Sequence, residues 1–298
     1  MHDDASLPPT GPVLHQIRRR YVALALVLLA VVLLGILIVI RHAKTPNDTG
    51  STETFSPVAG SVLTAVSQVP ESVIDAVGVT SSKDPVTPPT PNSAGTVWRD
   101  ATNGAVDHPV VFFYGAEFTP YAAAERWPVV VALSHFGTFG QLGQVESSSS
   151  EIFPNLASFT FWRVAYSSKW VALQTVERYG DVNPTGARYV SLQKPDASES
   201  AAVAEFDTST ATFPLLDIAN RYVLVGSSFT PAVLVGLSQS QIAADLAIPT
   251  SPVAQAVVSA ANEITAAICT VTGQQPAPVC STRGVLAADQ RMDIDPAG

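Results

Sequence analysis

The stretch Val110 to Trp127, VVFFYGAEFTPYAAAERW, limits the possible folds more than any other part of this chain. His108 to Tyr114 is a short apolar run bounded by Pro109 and Gly115, the pattern of a central strand. A brief turn follows, and Thr119-Pro120-Tyr121-Ala122 opens a helix. Pro120 sits in the first helical turn, where its missing N–H would have no partner anyway. The helix is expected to run to about Phe136, kinked at Pro128.

The rest of the chain extends this α/β pattern. Val58, Val62, Leu63 and Val66, then Val73, Ile74 and Val77, recur at helical spacing. Pro70 divides them into two short helices. Pro85 to Pro91 (PVTPPTP) reads as a stiff extended linker. Gln141 to Glu146 is a candidate strand. Phe159 to Tyr166 and Trp170 to Val176 are strands rich in aromatic and β-branched residues, separated by Ser-Ser-Lys. Ala197 to Phe206 is a weak helix. Pro214 to Ile218 and Tyr222 to Val225 form a hairpin across Ala219-Asn220. Gln241 to Leu246 and Val253 to Cys269 are helical, ending at a cysteine loop. Strand, helix, strands, helix, hairpin, helix makes an α/β fold with a mixed sheet flanked by helices.

Tyr21 to Ile40 is a run of 20 residues without a charge. As a helix it spans about 30 Å, the thickness of a bilayer core. Arg18-Arg19-Arg20 precede it, and Arg41, His42 and Lys44 follow. Its length and its basic end favour an uncleaved anchor over a cleavable signal. The slight excess of Arg before it places the N-terminus inside and the body outside the cytoplasm. Residues 1–17 then form a disordered cytoplasmic tail and 18–44 the transmembrane anchor with its basic flanks. Residues 45–91 hold a stalk, two short helices and the Pro-rich linker, and 92–298 hold the folded domain. From Thr45 onward, 11 Lys and Arg face 23 Asp and Glu, a net of −12. That balance disfavours nucleic acid, whose phosphates need clustered cations. The expected partners are membrane lipid, through Tyr21–Ile40, and a protein of a membrane complex.

The chain has two cysteines, Cys269 and Cys280, in CTVTGQQPAPVC. Eleven positions apart across Gly and two prolines, they read as a disulfide closing a small loop, with two unpaired thiols as the alternative. A disulfide agrees with a domain outside the cytoplasm. None of the histidines, His2, His15, His42, His108 and His135, stands in a metal-binding pattern, so no metal and no cofactor is expected.

Four long, collinear stretches carry a family resemblance: VVFFYGAEFTPYAAAERWPVVVALSHFGTF, VESSSSEIFPNLASFTFWRVAYSSKW, FPLLDIANRYVLVGSSFTPAVLVGLSQSQIA and ANEITAAICTVTGQQPAPVCS. They resemble DUF929, an uncharacterised thioredoxin-like family of archaea and actinobacteria. The resemblance implies a thioredoxin-like fold on the outer face of a membrane. Typical members have Cys-Pro-Tyr-Cys where this chain has Thr119-Pro120-Tyr121-Ala122, so both cysteine positions are filled by other residues. It further implies that Phe213-Pro214 matches the cis-proline pair of such folds.

A thiol-disulfide site needs a thiolate at the helix N-terminus. Thr119 offers a hydroxyl, which is either an N-cap or a nucleophile in need of a base. Ala122 offers nothing. Glu117 and Glu125-Arg126 are either proton-shuttling groups or ordinary hydrogen-bonded side chains. Phe118, Tyr121, Phe213 and Pro214 would converge on an apolar groove in a thioredoxin frame, or else pack into the core. The expectation is a protein with no catalytic residues: a degenerate thioredoxin-like binding or scaffold protein, single-pass and extracytoplasmic. The alternative is a thiol-disulfide oxidoreductase or chaperone-like protein of the cell envelope.

Overall fold

The computed structural model describes residues 54–79, 86–92, 96–100, 107–182, 189–206 and 213–294. These lie in one compact unit, Glu53–Gly298. The expected tail, the expected anchor at Tyr21–Ile40 and the start of the expected stalk fall outside the described residues.

The apolar run becomes strand β3 (His108–Gly115), buried at seven of its eight positions. Its side chains divide between two cores. Val111 and Phe113 enter a large one, while Val110, Phe112 and Tyr114 enter a smaller one on the opposite face. Burial on both faces is why the run is continuous rather than alternating.

Two short strands, β1 (Thr90–Pro91) and β2 (Arg99–Asp100), precede β3. Strands β4 (Gly137–Glu146), β5 (Ala157–Ser168), β6 (Ala172–Glu177), β7 (Leu215–Ile218) and β8 (Tyr222–Val225) follow it. On one side of β3 lies β6, parallel; on the other lies β7, antiparallel, and then β8 and β1. β2 pairs with the beginning of β3. The expected mixed sheet flanked by helices is therefore present. The strands expected at 159–166 and 170–176 also form, but in different sheets, because β5 turns back on β4 in a separate bulged ribbon. The hairpin closes through Ala219, Asn220 and Arg221; the first two are left-handed, φ 55° and 56°, and Arg221 N donates to Ile218 O at 3.0 Å.

The helices are α1 (Gly60–Ser67), α2 (Glu71–Val77), α3 (Pro120–Ser134), α4 (Ala197–Phe206), α5 (Gln239–Asp245), α6 (Pro252–Val271), α7 (Ala277–Cys280) and α8 (Arg283–Ile294). Pro231–Leu234 is a 3-10 turn. α3 and α6 pack together in the large core, where Trp127 lies 4.4 Å from the Phe159 ring and donates to the Ala157 carbonyl at 3.0 Å. Among the described residues, α6 alone is long and apolar enough to cross a membrane, yet 89% of its apolar window is buried inside the protein. Its all-round apolarity is that of a central core helix.

The segment expected to be stalk and linker differs most. Residues 56–58 pair with β4: Gln144 N donates to Ser56 O at 2.8 Å and Val58 N to Leu142 O at 3.0 Å. α1 and α2 place Val62, Val66, Val73, Ile74 and Val77 in the large core. The Pro-rich stretch is extended, as expected, but runs along β8: Thr87 N donates to Ser228 O and Asn92 N to Arg221 O, both at 2.7 Å. Prolines suit this place, because an outermost strand needs few donors. The folded unit thus begins well before residue 92. α8 was not expected. It seats against α2, with Gly284 N on Asp75 Oδ1 and Arg283 Nε on Asp75 Oδ2, both at 3.1 Å. A Cβ at Gly284 would lie 2.4 Å from the Ile74 carbonyl oxygen, so only glycine permits the approach.

Candidate functional site

The site forms where β3 passes into α3. Arg178 N donates to Gly115 O at 2.7 Å and Glu117 N to Tyr179 O at 2.8 Å, which fastens the turn to the segment leaving β6. Thr119 has extended backbone angles, φ −83° and ψ 133°, and its Oγ1 accepts from Ala122 N at 3.2 Å. It is the N-cap of α3, and Pro120 fills the first turn. The Ala122 methyl is buried.

Aromatic rings gather over this turn. Phe118 stacks on Tyr189, centroids 3.9 Å apart and planes 5° apart, and meets Phe213 edge-on at 6.1 Å. Tyr179 lies 6.3 Å from both Phe118 and Phe213, and Tyr114 lies 5.1 Å from Phe213. The Phe213–Pro214 peptide is cis. Pro214 is buried, and its carbonyl accepts from Gly226 N at 2.7 Å. Tyr121 turns its ring toward Phe153 at 6.5 Å and is 43% exposed. Of the four groove candidates, the structure brings Phe118 and Phe213 into contact, buries Pro214 behind them and directs Tyr121 to a neighbouring patch. Ile152, 73% exposed, precedes Phe153 there. The 147–155 loop docks on the turn through Ser148 N to Phe118 O at 2.9 Å, and Tyr189 OH donates to Glu151 at 3.2 Å.

Beneath the turn lie buried ionisable side chains. Arg126 grips Glu177 with two bonds, Nε to Oε1 at 2.8 Å and Nη2 to Oε2 at 2.7 Å, and both side chains are fully buried. Phe161 N adds a third bond to Glu177 at 3.1 Å. Glu117 is buried and accepts from the Thr160 hydroxyl. Glu125 is fully buried; it receives Ser228 N at 2.6 Å and Ser228 Oγ at 3.0 Å. Burial pushes its carboxyl up to about 8, against the opposing pull of the two Ser228 bonds. Each of these carboxyl groups is therefore a hydrogen-bonded interior group.

Cys269 and Cys280 are joined, Cα atoms 5.7 Å apart, between the end of α6 and α7. Among the described residues, no three His, Cys, Asp or Glu side chains are grouped to hold a metal ion. Sequence reasoning missed Tyr179, Tyr189 and Glu177. The parallel register that sets Gly115 opposite Glu177 brings them to the turn, and no local spacing encodes that register.

The class these observations define is a mixed α/β domain with a capped strand–turn–helix beneath an aromatic cluster. Residues 101–196 match the family model DUF929, "Domain of unknown function", the family that the sequence resembles. The matched stretch contains β3, α3, β4, β5 and β6, while β7, β8 and α6 lie beyond it. No curated protein and no solved structure matches the chain.

Proposed function

We propose that this chain is a thioredoxin-like binding or scaffold module without redox catalysis, anchored by Tyr21–Ile40 with its domain outside the cytoplasm. Its role is that of an accessory subunit in a membrane or envelope complex. The observation that carries this reading is the path β3–α3–β6–β7–β8–α6, in sheet order β6-β3-β7-β8, with Thr119 and Ala122 at the helix start. This order supports the reading, because it follows the layout expected of a thioredoxin-like domain with a ribbon inserted after its first helix. Where the chemistry of such a fold needs a thiolate, this chain has a capping hydroxyl and a methyl. The partner-binding face is the aromatic surface around Phe118, Tyr121, Phe153 and Phe213, with Ile152 at its edge.

Redox work at Cys269–Cys280 fits less well. Both cysteines are buried, and Cys269 lies near the C-terminal end of its helix, where the dipole disfavours a thiolate.

The test is insulin reduction by residues 45–298. Wild type is expected to show no turnover beyond a Cys269→Ser/Cys280→Ser variant. Thr119→Cys/Ala122→Cys is expected to gain thiol-disulfide activity. Turnover by wild type would end the non-redox reading.

A further inference from the structure

The β4–β5 ribbon has two ends. At one, Glu146 opposite Ala157, the strands lead into the 147–155 loop beside the aromatic turn; at the other, Gly137 lies opposite Ser168. In this second half, exposed side chains of β5 alternate with half-buried ones. Arg163, Ala165 and Ser167 are exposed, while Val164, Tyr166 and Ser168 are half-buried. Lys169, just past the strand, is exposed too. On β4 the partners of Ser167 and Ala165 are Thr138 and Gln141, both exposed. The outer face thus carries two cations among neutral side chains. Neither 137–145 nor 158–169 holds an Asp or Glu, on a chain that sums to −12 from Thr45 onward. Among the described residues neither cation has an ion-pair partner.

The backbone sets Arg163 apart. Its φ of 58° lies in the left-handed region, unusual for a long side chain. Gln141 is opposite Ala165 but Gly143 is opposite Thr160, so 161–164 bulge out of the ladder. A bulge re-aims the side chains it carries. Gln141 Nε2 secures this one by donating to the Arg163 carbonyl at 2.7 Å. The guanidinium lies 4.2 Å from the Trp162 ring centre, and that ring meets Phe55 at 6.4 Å. Trp beside a long basic side chain is the combination that settles at the headgroup level of a bilayer.

The path of the chain supplies the occupant. Phe55 follows Ile40 by 15 positions, a reach of at most about 50 Å. Residues 56–58, next in line, are hydrogen-bonded to β4. The domain is therefore attached to whatever holds Tyr21–Ile40 through a segment bound to this ribbon. We infer that the outer face of the ribbon rests on anionic phospholipid headgroups, with Arg163 and Lys169 on lipid phosphates and Trp162 at headgroup level. This rests on the membrane anchor proposed above. The acidic remainder of the domain is repelled by the same phosphates, so the two cations also orient it.

The test uses full-length protein reconstituted into liposomes of phosphatidylcholine with phosphatidylglycerol, or of phosphatidylcholine alone. Ser167→Cys carries a fluorophore, the two native cysteines being joined to each other. Quenching by lipids with a nitroxide on the headgroup reads the contact. Quenching is expected in the mixed liposomes, and it should weaken with added salt and without phosphatidylglycerol. Arg163→Gln and Lys169→Gln, both at exposed positions, should each lower the ratio of docked to undocked domain about fivefold, the scale of one cation near a charged bilayer surface. No quenching in the mixed liposomes, or quenching unchanged in both variants, overturns the inference. Flotation after a carbonate wash separates it from the anchor. Protein that floats without quenching leaves the anchor standing and the inference wrong; protein that does not float loses both.

Discussion

Glu125 offers the sharpest test of the interior described above. Its carboxyl rests fully buried on α3 against Ser228, and burial moves it from an ordinary 4.5 to about 8. Below pH 4.5 the folded and unfolded chains both hold the neutral acid. Between 4.5 and about 8 only the folded chain keeps the proton, so stability falls as pH rises, by up to about 1.4 kcal/mol per pH unit. The stabilisation present in acid is lost once pH passes about 8. Over the whole window the effect is on the order of 5 kcal/mol as an upper bound, a large part of a domain's stability. Glu125→Gln keeps an acceptor for Ser228 N and removes the titration. Urea unfolding of residues 53–298 between pH 5 and pH 9, for wild type and variant, isolates the contribution of this group. Glu263 and Asp217, also raised by burial, to about 7 and about 6, slope the same way and cancel in the difference. The variant should gain on wild type steadily with rising pH. Parallel profiles would mean that Glu125 ionises as it does in water, and its uncompensated burial would have to be abandoned.

Other expectations follow from single contacts. Thr119→Ala removes the α3 cap and should cost about 1 kcal/mol in denaturant unfolding, with Thr119→Ser retaining most of it. Arg126→Met leaves Glu177 buried without its cation and should cost about 3–5 kcal/mol, whereas Arg126→Met/Glu177→Leu should recover much of the loss. Trp127→Ala empties a fully buried site and should cost about 3–5 kcal/mol in the same assay. Reducing Cys269–Cys280 should lower stability by about 3 kcal/mol, and mass-resolved hydrogen exchange should show α8 loosened before β3.

The elements with local signals were legible in the sequence. β3 announced itself by an uncharged run between Pro109 and Gly115, α3 by Thr119-Pro120, and the β7–β8 hairpin by two short apolar runs about Ala219-Asn220. Thr119 as a cap was legible for the same reason, since a cap is defined by the three residues after it. What depended on distant partners was not. The Pro-rich stretch showed its extended shape but not its place on β8. α8 has a weak apolar face, and its position rests on Asp75 and Ile74 far up the chain. The Phe118–Tyr189 stack depends on the loop beyond β6, and the Arg126–Glu177 pair on a parallel register with no sequence period.

The Pro-rich strand and α2 have a consequence for the order in which the chain can assemble. Thr90 bonds to Val223, 133 positions later, and Asp75 to Gly284, 209 positions later. Both N-terminal elements leave the ribosome before their seats exist. Contacts of such span form late, after the entropy of closing the long loop has been spent. α2 and β1 are therefore made early and docked late. In the interval β8 and the groove between α6 and α8 stand open, so this is when the chain is most exposed to mispairing with another copy.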